Sequence, residues 1–474
     1  MAPPRFCFTL YNVGPTEYLL ERQKLLLPAK STLYRAFGSD VNIWKQLVLS
    51  ESPEIPILQK FLKFYDNLSS KSSFTIGIDA ISGKLWKENT NSKKIQDLFA
   101  IYLMPLNFEG PNVCVHIIEN TNGRAASVLE KILNYIELLQ RKTQVPFVTT
   151  DGDKSYDAIY IVYFNHWFFL ITDFNGLVNE MRNAKYKDIH IIFIADVVHI
   201  GKNLRTLIVF DGKLILMQPY DPTRHVDIEK IRQYCHIGDA INNKDKSSKL
   251  NDKYPVTLFN VNNVWELLKH GCFEEGVWLL PLTLWFEAIR NLQLPVEARM
   301  SMIKLAFYIL QFYLRLAHAL KISDRLKDVV NNDGTIKFKA YFFSRIIHMK
   351  KMATSLLIIY GILDQDPSIN FQHITTLPVE HLFALFRKFA KAKKEVNDLM
   401  SACAHQLMTE YYNLGHFNRL VKQTILDQSG ADLQKINVIS EEQWPKYIFT
   451  DDEIEQITTD LLYSVGWTED DVLS

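Results

Sequence analysis

Cysteine is scarce and scattered: Cys7, Cys114, Cys235, Cys272 and Cys403 include no pair at C-x-x-C spacing. An odd number of isolated thiols argues against a disulfide framework and against a structural zinc finger within this sequence, and for a reducing compartment. Net charge is missing as well. The 53 Lys and Arg residues balance 53 Asp and Glu, so any cations that meet phosphates have to be concentrated locally. No apolar run suits a bilayer. The two most apolar stretches, 159–174 and 305–320, carry Asn165 and His166, or Gln311, Arg315 and His318, and are expected as buried helices with no membrane partner. The first residues, Met1-Ala2-Pro3-Pro4-Arg5, lack the apolar core of a signal peptide, so an intracellular rather than a secreted protein is expected. No Gly-rich phosphate loop occurs between Phe210 and Asn370, and no repeat or low-complexity tract is visible.

What is present is a globular composition, 47% hydrophobic and 12% aromatic, arranged around Pro146-Phe147-Val148-Thr149-Thr150-Asp151-Gly152-Asp153. This run reads as a buried strand that delivers carboxylates to a sheet end. Phe74 to Asp79 and Ile189 to Asp196 repeat the pattern, so three β-rich runs each end in an Asp. In open α/β sheets ligands and chemistry gather at that edge. Between these runs lie two further strand-like segments, Ile95 to Pro105 and Asn112 to Glu119. An amphipathic helix follows from Ala125 to Lys142, with Val128, Ile132, Tyr135, Ile136 and Leu139 on one face. A helical stretch from Tyr156 to about Asn183 precedes the last strand. Three strands, a helix, a strand, a helix and a strand is the order of an RNase H-like core. The fold class expected is therefore α/β, an RNase H-like mixed sheet with a largely helical insertion domain.

Composition shifts mark the boundaries. Residues 1–73 form a proline-broken helical segment and linker, and 74–209 the first part of the core. Helical periods dominate 210–370, the insertion. The core resumes over 371–435, and 436–474 is an acidic tail expected to form small solvated helices.

Asp79, Asp151 and Glu380 have the chemistry of a two-metal phosphoryl-transfer site. Two Mg²⁺ (or Mn²⁺) ions about 3.5–4 Å apart need a bridging carboxylate and flanking ones, and hard cations take oxygen ligands. Asp153 shares a face with Asp151 by the strand period and is the reserve ligand. The competing reading is that strand-end Asp residues cap the following helices. Helical spacing puts Asp196, His199 and Lys202 on one face, able to position a phosphate. Arg387, Lys388, Lys391, Lys393 and Lys394 form a basic ridge after Glu380. Lys84, Lys87, Lys93 and Lys94 could line the opposite wall of a nucleic-acid track.

These residues resemble a family. Leu27-Pro28-Ala29-Lys30-Ser31-Thr32-Leu33, the Asp79 strand, Thr150-Asp151-Gly152, Asp196-x-x-His199-x-x-Lys202-x-x-Arg205 and Val379-Glu380-His381-Leu382-Phe383-Ala384-Leu385-Phe386-Arg387 are similar to segments of DDE cut-and-paste transposases. The P-element and THAP-domain group is the nearest, the hAT group more distant. The resemblance implies metal-dependent DNA cleavage and strand transfer by Asp79, Asp151 and Glu380. Asp196, His199, Lys202 and Arg205 would hold DNA or support the acidic face. It also implies DNA as partner, a homo-oligomer and a nuclear location. The rival is an inactive transposase descendant that serves as a DNA- or protein-binding scaffold.

Overall fold

The computed structural model describes residues 73–82, 97–106, 112–120, 125–141, 144–151, 173–183, 192–211, 214–235, 237–245, 252–291, 294–322, 326–330, 336–367 and 448–468, with a few single positions between them. The described residues fall into two compact units, one of residues 1–149 and 376–430, the other of 150–375 and 431–474.

The first unit holds strands β1 (Ser73–Ser82), β2 (Asp97–Pro105), β3 (Val113–Asn120) and β4 (Gln144–Thr150), and helix α1 (Ala125–Gln140). Phe74, Ile76 and Ile78 alternate with Thr75 in β1, and all are buried. In β2 the whole run from Leu98 to Met104 is buried. Continuous burial of this kind means that both faces of the sheet are covered. β1 and β2 pair antiparallel from Phe74↔Pro105 to Ser82↔Asp97. β2 and β3 pair antiparallel with a register shift at Ile101 and Tyr102. Helix α1 buries Ile132, Leu133, Tyr135, Ile136 and Leu139, the three-to-four spacing expected of one apolar face. The Tyr135 hydroxyl donates to the Val115 carbonyl at 3.0 Å, and its ring stacks on His116 at 4.3 Å. These two contacts fasten the helix to β3.

The second unit begins with α2 (Phe174–Arg182), β5 (Ile192–Ala195) and α3 (Val197–Val209). The sheet order is β3-β2-β1-β4-β5, with the first strand beside the fourth, as the element order predicts. The helix expected from Tyr156 to Asn183 is described at Tyr156 and Asp157 and over α2. There the Asp173 side chain caps the helix by accepting from the Gly176 N–H at 2.6 Å.

The insertion contains β6 (Leu214–Leu216), α4 (Ile228–Tyr234), α5 (Asp239–Asn242), α6 (Lys253–Leu258), α7 (Val261–Lys269), α8 (Phe273–Arg290) and α9 (Val296–Ala319). It continues with β7 (Leu326–Val330), β8 (Ile336–Phe342) and α10 (Ile346–Gln365). Helices prevail, as expected, and a three-stranded sheet in the order β6-β8-β7 stands among them. Helix α10 starts only at Ile346, after Ala340 to Phe342 have paired parallel with β6. Helices α9 and α10 are long and apolar enough to cross a membrane, yet 72% of each apolar window is buried inside the fold, which is what core helices show. The acidic tail is more than solvated: α11 (Asp451–Ser464) buries Ile454, Thr458 and Leu462.

Candidate active site

Asp79 lies within β1 rather than at its end. The ladder with β2 continues to Ser82, and Asp79 stands opposite Ala100, so hairpin pairing carries the strand three residues beyond the expected stop. Its side chain is buried, and Oδ1 accepts from the Ala80 N–H at 2.6 Å. Asp151 directly follows the last residue of β4 and is half-buried. In the sheet β4 is the neighbour of β1. Thr75 Oγ1 of β1 donates to the Phe147 carbonyl of β4 at 3.4 Å.

Asp196 is different. At 1% exposure its Oδ1 accepts from the Val198 N–H at 2.8 Å. It caps α3, as the competing reading of strand-end Asp residues holds. Asp153, Glu380, Arg387, Lys388 and Lys391 lie outside the described residues, as does the Leu27 to Leu33 segment.

The donor chemistry suits magnesium or manganese, since Asp79 and Asp151 bring hard carboxylate oxygens. Among the described residues no three His, Cys, Asp or Glu side chains gather as a metal-binding group. A two-ion site would therefore need the third carboxylate from Glu380.

The polar stripe of α3 faces protein. Lys202 is buried, and its Nζ lies 2.8 Å from Asp252 Oδ1 and 3.4 Å from His199 Nε2. Arg205, 1% exposed, donates through Nε to the Ala240 carbonyl and through Nη2 to the Asn243 carbonyl at 3.1 Å. Its guanidinium also sits 4.8 Å from the Tyr254 ring centre and 5.1 Å from that of Phe210. Burial pushes the Arg205 pKa down. Burial does the same to Arg290, with Asp196 and Asp252 opposing it. The signature residues thus join a charged network, with Asp252 and Arg290 as members that sequence reasoning missed. Gly201 permits this packing: a Cβ there would lie 2.8 Å from Pro255 Cβ, so α3 and α6 approach closely.

A second set of missed residues lies on α10. Lys351, 1% exposed, places Nζ 2.6 Å from Asp157 Oδ1. Ser355 Oγ accepts from the Ala195 N–H at 3.0 Å. A lysine pair, Lys350 and Lys351, inside an otherwise apolar helical run is the signal that could have drawn attention to Lys351. Nothing in the sequence marks Ser355.

No protein-family model matches the sequence, and no curated protein matches it. Among solved structures the chain is similar to a Drosophila P element transposase in a strand transfer complex. The TM-score is 0.54 at 14% identity, over 87% of this chain and 92% of that one. At this identity the likeness establishes architecture: a mixed α/β fold of the P-element-transposase kind, consistent with an RNase H-like core.

Proposed function

We propose that this is a transposase-like protein that cleaves DNA and transfers the cut strand by metal-dependent phosphoryl transfer, with Asp79, Asp151 and Glu380 as its carboxylates. One observation carries the reading: the strand order sets β1, which contains Asp79, beside β4, which Asp151 directly follows, in a chain whose fold resembles a transposase. Bound magnesium or manganese would supply the charge that activates an attacking oxygen and steadies a leaving one. The chain's own part is to present the oxygens. Burial of Asp79 limits its rotamers, and Asp151 remains half-buried and so reachable from solvent. DNA is the partner implied, held by local cations because the net charge is zero, and a nuclear location goes with that substrate. Lys202 and Arg205 tie α3 to the start of the insertion rather than contact DNA, given their protein partners.

The test is nicking and strand joining on supercoiled plasmid with Mg²⁺ or Mn²⁺, comparing the wild type with Asp151→Ala. Metal-dependent activity that the variant lacks supports the reading. A folded wild type that binds DNA but never nicks it favours the scaffold function.

A further inference from the structure

Helix α10 touches the surroundings of Asp151 at two points one helical turn apart. Lys351 Nζ reaches Asp157, six positions after Asp151, at 2.6 Å. Ser355, fully buried, accepts the Ala195 N–H at 3.0 Å. Among the described strands β5 is the outer one, and there Ser355 supplies the acceptor that this buried N–H needs. The next residue, Asp196, donates its own N–H to the Thr150 carbonyl at 2.9 Å, and Thr150 immediately precedes Asp151. Ser355 therefore steadies the end of β5, and β5 steadies the backbone from which Asp151 emerges. Lys351 holds the chain on the other side. Residues four apart on a helix share one face, so a single face of the insertion contacts the chain before Asp151, by way of β5, and after it in sequence, at Asp157.

We propose that Lys351 and Ser355 are positioning residues that set the Asp151 carboxylate for its metal, making α10 of the insertion part of the catalytic apparatus. This rests on the proposed role of Asp151. The lysine of this pair is buried and Asp157 half-buried, and taking an ammonium out of water is costly for stability alone, because an apolar side chain of similar volume is often as stable. A positioning role gives the Lys351–Asp157 pair a reason beyond stability. Groups that orient a ligand from behind typically change metal affinity or activity by about 10–100-fold when removed.

The experiment uses the full chain and reads Mn²⁺ binding directly, by the electron paramagnetic resonance signal of free Mn²⁺, alongside the thermal midpoint. Four variants are compared with the wild type: Asp151→Asn, the apolar replacement Lys351→Met/Asp157→Leu, Ser355→Ala and Lys351→Arg. Asp151→Asn should abolish binding. Lys351→Met/Asp157→Leu should weaken it about tenfold with little change in melting, and Ser355→Ala should weaken it by less. Lys351→Arg, which keeps charge and donors, should bind near the wild type. If the apolar replacement does not fold, Ser355→Ala, a single-atom deletion, carries the test. Wild-type Mn²⁺ affinity in folded Lys351→Met/Asp157→Leu and Ser355→Ala, with Asp151→Asn still null, overturns the positioning role and leaves the catalytic reading standing. Wild-type affinity in Asp151→Asn overturns both.

Discussion

His348 is held neutral by its surroundings. Burial, then the cationic Arg345 and Lys351, push its pKa from 6.5 to about 3. Once pH falls below 6.5 an unfolded chain takes up a proton here that the folded chain refuses. Stability is therefore fully present above 6.5 and lost progressively toward 3, at no more than about 1.4 kcal/mol per pH unit. Wild-type urea midpoints should fall between pH 7 and pH 5 relative to those of His348→Phe, so the variant's slope with pH should differ by the share that His348 contributes. An unchanged slope would clear His348 of the effect. Glu287 works in the other direction. Burial raises its carboxyl from 4.5 to about 7, opposed by the Asn291 hydrogen bond, so the folded chain keeps a proton that the unfolded chain releases. Its contribution is present below 4.5 and lost as pH rises through about 7. Glu287→Gln should melt higher than the wild type at pH 8 and alike at pH 4.5. A lower midpoint at pH 8 would contradict the assignment.

Helix α3 shows how an element can be legible in kind and hidden in role. The Asp196 side chain caps it and also faces Arg290 as a buried opposite charge. Asp196→Asn keeps the cap and removes the charge, whereas Asp196→Ala removes both. Alanine should therefore be less stable than asparagine by about 1 kcal/mol, the worth of an N-cap, read from urea unfolding. Equal stabilities would mean that the cap contributes nothing. The core strands could be read from the sequence because β-branched runs, one amphipathic helix and the element order agreed on one topology. The small sheet of the insertion was readable only in part. Ile336, Phe338, Ala340 and Phe342 alternate with Lys337, Lys339 and Tyr341, a period of two that signals β8, but β6 is three residues long and too short for any period. Of the stripe Asp196, His199, Lys202, the last two meet at 3.4 Å, while Asp196 caps the helix. The stripe's inward direction depends on Asp252 and Arg290, which no local pattern connects to α3. The Lys351 to Asp157 pair was invisible for the same reason: it joins an insertion helix to a core segment far away in sequence.

For the whole second unit, closure comes from its C-terminal segment. The acidic residues at its start read as a solvated tail, yet they build a docked helix. Thr450 and Glu453 form a reciprocal capping box. Phe449 donates its N–H to Ser301 Oγ at 3.2 Å, and Lys304 pairs with Asp451, so both ties run to α9. At the far end Gly466 adopts φ +92°, a left-handed conformation that glycine accepts without strain. A Cβ there would lie 2.9 Å from Gln218 Nε2. That turn delivers Trp467 against Phe312 at 5.2 Å and Phe342 at 6.2 Å, joining α9 to the end of β8. The segment thus links the long core helix, the small sheet and the β6 turn in one cluster. Trp467→Ala should cost about 3–5 kcal/mol, as for a large aromatic removed from a core, and Gly466→Ala should destabilise through strain and crowding together. Urea unfolding followed by far-UV circular dichroism measures both. A solvated tail requires the opposite, wild-type midpoints in each variant, and that outcome would return residues 448–468 to the role their composition suggested.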